Sequence, residues 1–312
     1  MTAPDHLDPG LLLGFRQAVA ERHLGVQGIH VLVAGQGAVQ HRWRADIRQD
    51  VYSVSKTFTA VAIGIARDEG LLDLDDPVLD HLPEFAAGAA DGAEAMTVRH
   101  LLNMTAGNGY RWLDPDADHP DDPARDFLAR PLVAAPGSTF HYAGANSYVL
   151  GRIIASCSGQ DLRDYLMPRL FTPLRISNPQ WLRCPLGFPL GAIGLQLRTE
   201  EIARLGETLL DDGCYQGRRI VSADFVTRMR TETVPTGTYS PHRENASYGL
   251  HVWQCPDDDA WRMDGIYGQF SVLLPAYRAC VTITSHYEGP TTDILRALWS
   301  ELVPALRTAD QH

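Results

Sequence analysis

The sequence is almost without lysine, because Lys56 is the single lysine among 27 basic residues and all the others are arginines. An arginine guanidinium stays protonated at ordinary pH, whereas a lysine amine can lose its proton when it is desolvated or placed beside another cation. A chain that uses arginine elsewhere but keeps this one lysine therefore suggests a position that needs a removable proton.

Cysteine is also scarce, and long apolar segments are missing. The five cysteines are scattered and form no C-x-x-C pair, which indicates reduced structural cysteines. The first residues do not follow the basic–apolar pattern of a signal peptide, and no run of 18 apolar residues could span a membrane. We therefore expect a cytoplasmic protein.

Patterns for cofactors and polyanions are missing too. The twelve histidines show no metal-binding spacing, and there is no G-x-G-x-x-G or P-loop sequence. A net charge of −11 argues against nucleic acid and anionic membranes as partners. The sequence thus predicts a protein without a metal or cofactor, whose partner is a small molecule. It does not indicate an oligomeric state.

The hydrophobic pattern changes twice along the 312 residues. Two apolar runs flank Gly35-Gln36-Gly37 and predict a hairpin, and an apolar helix from Ser53 to Glu69 follows. The middle looks helical, whereas "SYGLHVWQC", "GQFSVLLP" and "RACVTITSHY" predict three C-terminal strands before a last helix. We expect an α/β (α+β) fold in a single domain, residues 1–312. An antiparallel sheet lobe (about 1–52 and 245–312), flanked by helices, would face a helical lobe (about 71–230).

Ser53 lies three residues before Lys56, so on a helix the two side chains share a face. Ser-x-x-Lys is a known pairing of a nucleophile with its base. At the N-terminus of the predicted helix, free N–H groups would also favour developing negative charge. This spacing alone is common, so the surrounding sequence has to support it. No G-x-S-x-G sequence offers a competing nucleophile.

The surrounding sequence resembles the serine hydrolases related to class C β-lactamases, penicillin-binding proteins and esterases. The resemblance covers nearly the whole chain and includes "YSVSKTFTAVAIGIARDEGLLDLDDPVLDHLPE", "MTVRHLLNMTAGNGY", "PGSTFHYAGANSYVLGRII" and "LRTEEIARLGETLLDDGCYQGRRIVS". The segments "PRLFTPLRISNPQW" and "RMDGIYGQFSVLLP" look nearest to the branch that contains 6-aminohexanoate-dimer hydrolase and esterases. The resemblance implies a β-lactamase/transpeptidase-like fold.

The chain departs from the family pattern at two motifs. The second motif, Tyr-x-Asn, has Gly144 in place of asparagine, and Asn146 follows two residues later as a candidate substitute. The third motif, Lys/His-Thr/Ser-Gly in β-lactamases, reads Met263-Asp264-Gly265. In the lactamases and peptidases this site helps to hold a substrate carboxylate, which Asp264 would repel. We therefore expect neutral or amine-bearing substrates rather than β-lactams or D-Ala-D-Ala peptides.

The resemblance also implies roles for individual residues. Ser53 would be the nucleophile, with Lys56 and Tyr142 as proton carriers; Tyr148 is a competitor for Tyr142, and the order of proton transfer stays open. The oxyanion hole would use the backbone N–H groups of Ser53 and Ile266. The predicted substrate-binding residues are Tyr110, Trp112, Asp264, Gly265, Tyr267 and Gln269. An acidic segment either attracts a cationic substrate or is simply solvated, and it contains Asp114, Asp116, Asp118, Asp121 and Asp122.

We interpret the sequence as a serine hydrolase, of esterase or amidase type, that cleaves a small ester or amide through an acyl-enzyme on Ser53. Two alternatives stay open. In the first, an acyltransferase or cyclase uses the same acyl-enzyme but passes the acyl group to an amine or alcohol. In the second, a binding protein has kept the fold and lost turnover. The feature that favours this alternative is Gly144, which stands in place of the usual motif asparagine.

Overall fold

A computed structural model describes residues 7–110, 122–237, 239, 243–257 and 259–309. Eight of the described strands form one antiparallel sheet in the order β2-β1-β12-β11-β10-β9-β8-β7, and two short two-stranded sheets accompany it. The strands are β1 (Val26–Val33), β2 (Gly37–Arg42), β3 (Gln49–Asp50), β4 (Gln196–Leu197), β5 (Cys214–Tyr215), β6 (Arg218–Arg219), β7 (Val234–Pro235), β8 (Ser247–Tyr248), β9 (Trp253–Gln254), β10 (Trp261–Gly265), β11 (Gln269–Leu274) and β12 (Ala279–Ser285).

The helices lie mainly between β2 and β7 and after β12. The α-helices are α1 (Leu13–Glu21), α2 (Ser55–Asp68), α3 (Val78–His81), α4 (Val98–Leu102), α5 (Pro123–Ala129), α6 (Gly144–Ser158), α7 (Leu162–Leu166), α8 (Thr199–Leu210), α9 (Ala223–Thr231), α10 (Thr292–Ala297) and α11 (Val303–Ala309). Single π-helical turns continue α7 and join α10 to α11. The α/β (α+β) class, with an antiparallel sheet and helices, is confirmed.

Both faces of the sheet are covered. Successive side chains along a strand point to opposite faces, and each face packs into its own hydrophobic cluster. Val281 and Ile283 of β12 join the cluster in which α1 and the C-terminal helices pack, through residues such as Phe15 and Leu298. Cys280, between Ala279 and Val281, instead joins the larger cluster with α2, α6 and α8. The terminal helices therefore cover one face, as the sequence predicts.

Helix α8 lies against β1, β11 and β12, although its residues fall in the range that the sequence assigns to the helical lobe. Its hydrophobic side chains Ile202 and Leu205 are buried in the cluster that contains Leu273 and Cys280. The chain thus crosses back to the sheet between residues 199 and 210 before it returns to helix α9. Helix α8 therefore packs on the sheet, although its residue numbers fall within the range 71–230 predicted for the helical lobe.

The C-terminal strand prediction is wrong in two places. "SYGLHVWQC" forms two short strands, β8 and β9, because His251 takes a positive φ of 59° between them. The prediction also omits β10, whose sequence WRMDG contains charged residues at the alternate positions Arg262 and Asp264. This strand pairs along its whole length with β11.

No helix in the described ranges is long and apolar enough to cross a membrane.

Candidate active site

The predicted nucleophile lies on a turn that leads into the buried helix α2. Tyr52–Val54 form a 3-10 turn, and α2 begins at Ser55 and runs to Asp68. Helix α2 is buried from Ser55 to Ala66, so its apolar sequence fits a helix surrounded by other elements. Ser53 therefore stands at the N-terminal end of a helix that the core holds in place.

A carboxylate fixes this turn from behind. Asp50 Oδ1 accepts hydrogen bonds from the backbone N–H of Tyr52, at 2.7 Å, and of Gly194, at 3.0 Å. Tyr52 has a positive φ of 47°, a backbone conformation that residues other than glycine rarely adopt unless surrounding contacts hold them in it. No sequence motif predicts this clamp by Asp50, because its partner Gly194 lies more than a hundred residues away.

The amine of Lys56 faces Ser53 directly. Lys56 Nζ lies 2.7 Å from Ser53 Oγ and 3.0 Å from the carbonyl oxygen of Ala192. Its side chain is only 3% exposed. Burial lowers the pKa of Lys56 to about 7, against the opposing influence of the Asp264 and Asp50 carboxylates. The amine is therefore neutral in a large fraction of molecules near neutral pH.

The segment 191–195 supplies the acceptor for this amine, and no sequence motif predicts it. Gly191 has a positive φ of 69°, and a Cβ atom there would lie 2.6 Å from the carbonyl oxygen of Ser147 on α6. Its own carbonyl oxygen accepts a 2.8 Å hydrogen bond from Thr59 on α2. Only glycine fits this gap, so the segment runs tightly between α2 and α6 and brings Ala192 to Lys56.

Tyr142 stands beside the pair, just before α6 begins. The Lys56 ammonium nitrogen lies 5.0 Å from the centre of its ring. Burial raises the pKa of Tyr142 well above its usual value, although a hydrogen bond with Ser53 acts in the opposite direction. The competitor Tyr148 lies elsewhere, with its hydroxyl 3.2 Å from Cys184 Sγ.

Strand β10 forms the opposite wall of the site. A Cβ atom on Gly265 would lie 2.6 Å from the carbonyl oxygen of Val51, so a glycine is needed for β10 to pass this close to the nucleophile turn. Ile266 follows directly and begins the turn to β11. Asp264 projects beside Arg262, whose Nε lies 2.9 Å from Asp264 Oδ2.

These elements enclose a cleft of about 740 Å³. It brings together six of the residues that the sequence predicts, together with Gly144: Ser53, Lys56, Tyr142, Asp264, Gly265 and Ile266. It is also lined by residues that the sequence analysis misses, among them Ile193, Tyr239, Asn245, Trp253 and Arg262. A second cavity, of about 610 Å³, lies at the far end of β10 beside Trp261, away from all of these residues.

Several predicted binding residues do not line the cleft. Tyr110 is buried in the core of the helical lobe, with the Arg130 guanidinium 4.2 Å from its ring centre. Gln269 is buried and donates to the carbonyl oxygen of Ser285. Tyr267 packs on Tyr52 and His286, with ring centres 5.3 Å and 4.7 Å apart.

Other predictions concern the acidic segment and the second motif. Trp112, Asp114, Asp116, Asp118 and Asp121 lie outside the described residues. Asp122 is described, and its carboxylate pairs with Arg152 at 2.8 Å. Asn146 is fully buried and its amide nitrogen faces Met104 Sδ at 3.1 Å, so Gly144 rather than Asn146 borders the cleft.

A buried histidine ties the surrounding elements together. His251 Nδ1 lies 2.7 Å from the Leu102 carbonyl oxygen, and Nε2 lies 2.9 Å from Ser147 Oγ on α6. Its own carbonyl oxygen accepts from Thr57, the residue after Lys56. Burial lowers the pKa of His251 to about 3, so the ring is neutral and its Nδ1 donates to Leu102. No sequence pattern marks this residue.

With this geometry in place, comparison with known proteins identifies the family. The family model described as Beta-lactamase matches residues 15–303. The chain belongs to the β-lactamase family. Family members include serine hydrolases that are amidases and esterases.

Among curated members of the β-lactamase family, the chain is 25% identical over 271 residues to 6-aminohexanoate-dimer hydrolase of Paenarthrobacter ureafaciens, covering 79% of this chain and 68% of that protein. It is 29% identical over 299 residues to penicillin-binding protein 4 of Amycolatopsis lactamdurans, covering 80% and 76%. Among solved structures, a variant of simvastatin synthase (LovD) from Aspergillus terreus aligns with a TM-score of 0.76 and 17% identity, covering 97% of each chain. That last likeness shows the fold alone.

Proposed function

We propose that this chain is a serine hydrolase that cleaves a small ester or amide through an acyl-enzyme on Ser53. The observation that carries the proposal is the 2.7 Å contact between Lys56 Nζ and Ser53 Oγ inside the cleft. A serine hydroxyl is a weak nucleophile until a base accepts its proton, and a buried amine with a pKa of about 7 is suited to that task.

The proton pathway follows from the opposite pKa shifts of the two candidate bases. Burial favours the neutral amine of Lys56 and the neutral phenol of Tyr142. Lys56 therefore accepts the Ser53 proton first, as the Ser53 oxygen attacks the carbonyl carbon and the carbonyl electrons move to oxygen. Tyr142 then donates a proton to the leaving group and regains one from the Lys56 ammonium.

Two backbone N–H groups, of Ser53 and Ile266, would stabilise the oxyanion. Ser53 lies on the turn before α2, and Ile266 begins the turn after β10, which Gly265 allows to approach the nucleophile turn. Loss of one such donor costs about 3 kcal/mol of transition-state stabilisation. A water molecule then attacks the acyl-enzyme, releases the acid and restores Ser53.

Burst kinetics with p-nitrophenyl acetate and butyrate test the proposal. We expect an initial release of p-nitrophenol that matches the enzyme concentration and disappears in Ser53→Ala. The matched control is Ser55→Ala, because Ser55 is a buried serine two residues away whose hydroxyl accepts a hydrogen bond from the Leu195 N–H instead of facing Lys56. This variant keeps the burst. If the wild type shows neither a burst nor any Ser53-dependent turnover of either ester, the acyl-enzyme is refuted for these substrates and a binding protein is favoured.

The same assay separates hydrolysis from acyl transfer. In the hydrolase, added amines or alcohols leave the yield of free acid nearly unchanged. Diversion of most of the acyl group to an added nucleophile at millimolar concentration would instead identify an acyltransferase or cyclase that uses the same acyl-enzyme.

A further inference from the structure

The wall of the cleft nearest the nucleophile turn carries a negative charge that the proposed reaction does not use. Asp264 lies next to Gly265, which contacts Val51 just before the nucleophile, and its side chain lines the cleft and is 23% exposed. Arg262 lies on the same face of β10, two residues earlier, and holds one carboxylate oxygen, Oδ2. The position and exposure of Asp264 therefore leave its carboxylate accessible from the cleft.

The two basic side chains that line the described part of the cleft, Arg262 and Lys56, are both engaged in the protein's own hydrogen bonds. Arg262 is 1% exposed and donates to Asp264, to the Glu244 carbonyl oxygen at 2.7 Å and to Asn245 Oδ1 at 2.6 Å. Lys56 is directed to Ser53 and to the Ala192 carbonyl oxygen. A carboxylate that enters the cleft would lose hydration beside Asp264 without a free cation to replace it.

The remaining wall favours cations and apolar groups. Tyr142, Tyr239 and Trp253 line the same cleft, with ring centres 5.6–5.7 Å apart. Aromatic faces carry negative potential, so an ammonium group against this surface is attracted and a carboxylate is repelled. The aromatic surface and the carboxylate of Asp264 thus act in the same direction.

We infer that the cleft selects substrates that carry an ammonium group near the scissile bond and rejects those with a carboxylate there, with Asp264 as the residue that sets this selectivity. The inference rests on the proposed function for the bond that is cleaved, but the charge selectivity itself is a property of binding. It reverses the charge preference that the third motif has in lactamases and peptidases.

Two sets of three matched substrates test the selectivity on each side of the scissile bond. The acyl-side set consists of the p-nitroanilides of 6-aminohexanoic, hexanoic and adipic acids. The leaving-group set consists of the thioacetates of thiocholine, 3,3-dimethylbutanethiol and 3-mercaptopropionic acid. In at least one set we expect kcat/KM to favour the cation over the anion by about tenfold or more, as expected for a charge pair at short range in a partly buried site.

Variants then assign the selectivity to Asp264. In Asp264→Asn the buried Arg262 charge is no longer balanced, so the cation-to-anion ratio should fall by at least about tenfold, or reverse. The matched control is Asp259→Asn, which removes the same charge from an exposed position outside the cleft and should keep the wild-type ratio.

The binding of small ions to Ser53→Ala tests the charge selectivity directly. This measurement requires neither catalytic turnover nor a folded Asp264 variant. We expect n-butylammonium to quench tryptophan fluorescence, through Trp253, at a lower concentration than butyrate does.

Equal binding of the two ions, or equal kcat/KM in both wild-type substrate sets, would overturn the inference. A cation preference that survives Asp264→Asn would overturn the assignment to Asp264. The absence of both burst and turnover, together with cation-selective binding, would refute the hydrolase and leave the selectivity intact.

Discussion

Replacing Lys56 with methionine should stabilise the protein, and the gain should shrink as pH rises. The folded-state pKa of Lys56 is about 7 and the ordinary value is 10.5, so between these values the unfolded chain holds a proton that the folded chain does not. Stability of the wild type therefore rises with pH through this window. Below it, both states are protonated and the full cost of the buried charge remains.

The magnitude follows from the two pKa values. Ionisation of Lys56 costs the fold about 4 kcal/mol at pH 7 and about 2 kcal/mol at pH 9. The Met variant avoids this cost, although it leaves the Ala192 carbonyl oxygen without the Lys56 donor, at about 1 kcal/mol. We therefore expect its advantage over the wild type to fall by about 2 kcal/mol from pH 7 to pH 9.

Urea unfolding followed by tryptophan fluorescence at pH 7, 8 and 9 measures this difference. All other ionisable groups are shared, so the difference between the two proteins isolates Lys56. Ser55→Ala keeps both the lysine and its contact with Ser53 and serves as the control, with the same pH dependence as the wild type. A stability difference that stays constant from pH 7 to pH 9 would refute a neutral buried amine.

Four further outcomes are expected. Lys56→Arg should lower kcat by about a thousandfold or more with the fold retained, because arginine cannot give up its proton; near-wild-type turnover would contradict the role of the lysine. The value of kcat/KM for a neutral ester should rise as pH increases through about 7, whereas a rise only above pH 10 would point to Tyr142, whose pKa is raised, as the first base. Tyr142→Phe should lower kcat by about a hundredfold with little change in thermal stability, and Tyr248→Phe, a buried neighbour in the same aromatic cluster, should keep most activity. Gly265→Ala should lower kcat more than it raises KM, because its Cβ would meet the Val51 carbonyl oxygen and displace β10; wild-type kcat would show that this close approach is dispensable.

The elements predicted from sequence are those with strong local patterns. The hairpin around Gly35-Gln36-Gly37 and the helix that contains Lys56 are confirmed, because turn chemistry and apolar periodicity decide them within a few residues. Strand β10 was not predicted, because the charged residues Arg262 and Asp264 interrupt its hydrophobic pattern. The burial of Arg262, which pairs with Asp264 and donates to the Glu244 carbonyl oxygen and to Asn245, depends on contacts with another part of the chain.

The candidate site shows the same limit. The Ser-x-x-Lys spacing predicts Ser53 and Lys56, the family resemblance implies Tyr142, and all three line one cleft. Other partners that hold the site together, such as Gly194, which donates to Asp50, and the neutral His251, come from distant parts of the chain with no motif of their own. Tyr110 and Gln269 look like binding residues in the sequence, but packing turns both into the core. Side-chain direction depends on tertiary contacts that a single sequence does not contain.

The single buried lysine also makes selective chemical labelling of the active-site cleft possible. Reagents that acylate amines have one side-chain target in the whole chain, and it lies beside Ser53. Trypsin cleaves after Arg48 and Arg67 but not after a modified lysine, so labelled protein would yield the peptide 49–67 as one mass-shifted fragment. Bulky amine reagents would leave Lys56 free, so trypsin would give the peptides 49–56 and 57–67 instead, while small reagents that enter the cleft would give the labelled peptide 49–67. One mass spectrum could thus report how open the cleft is, without any knowledge of the substrate.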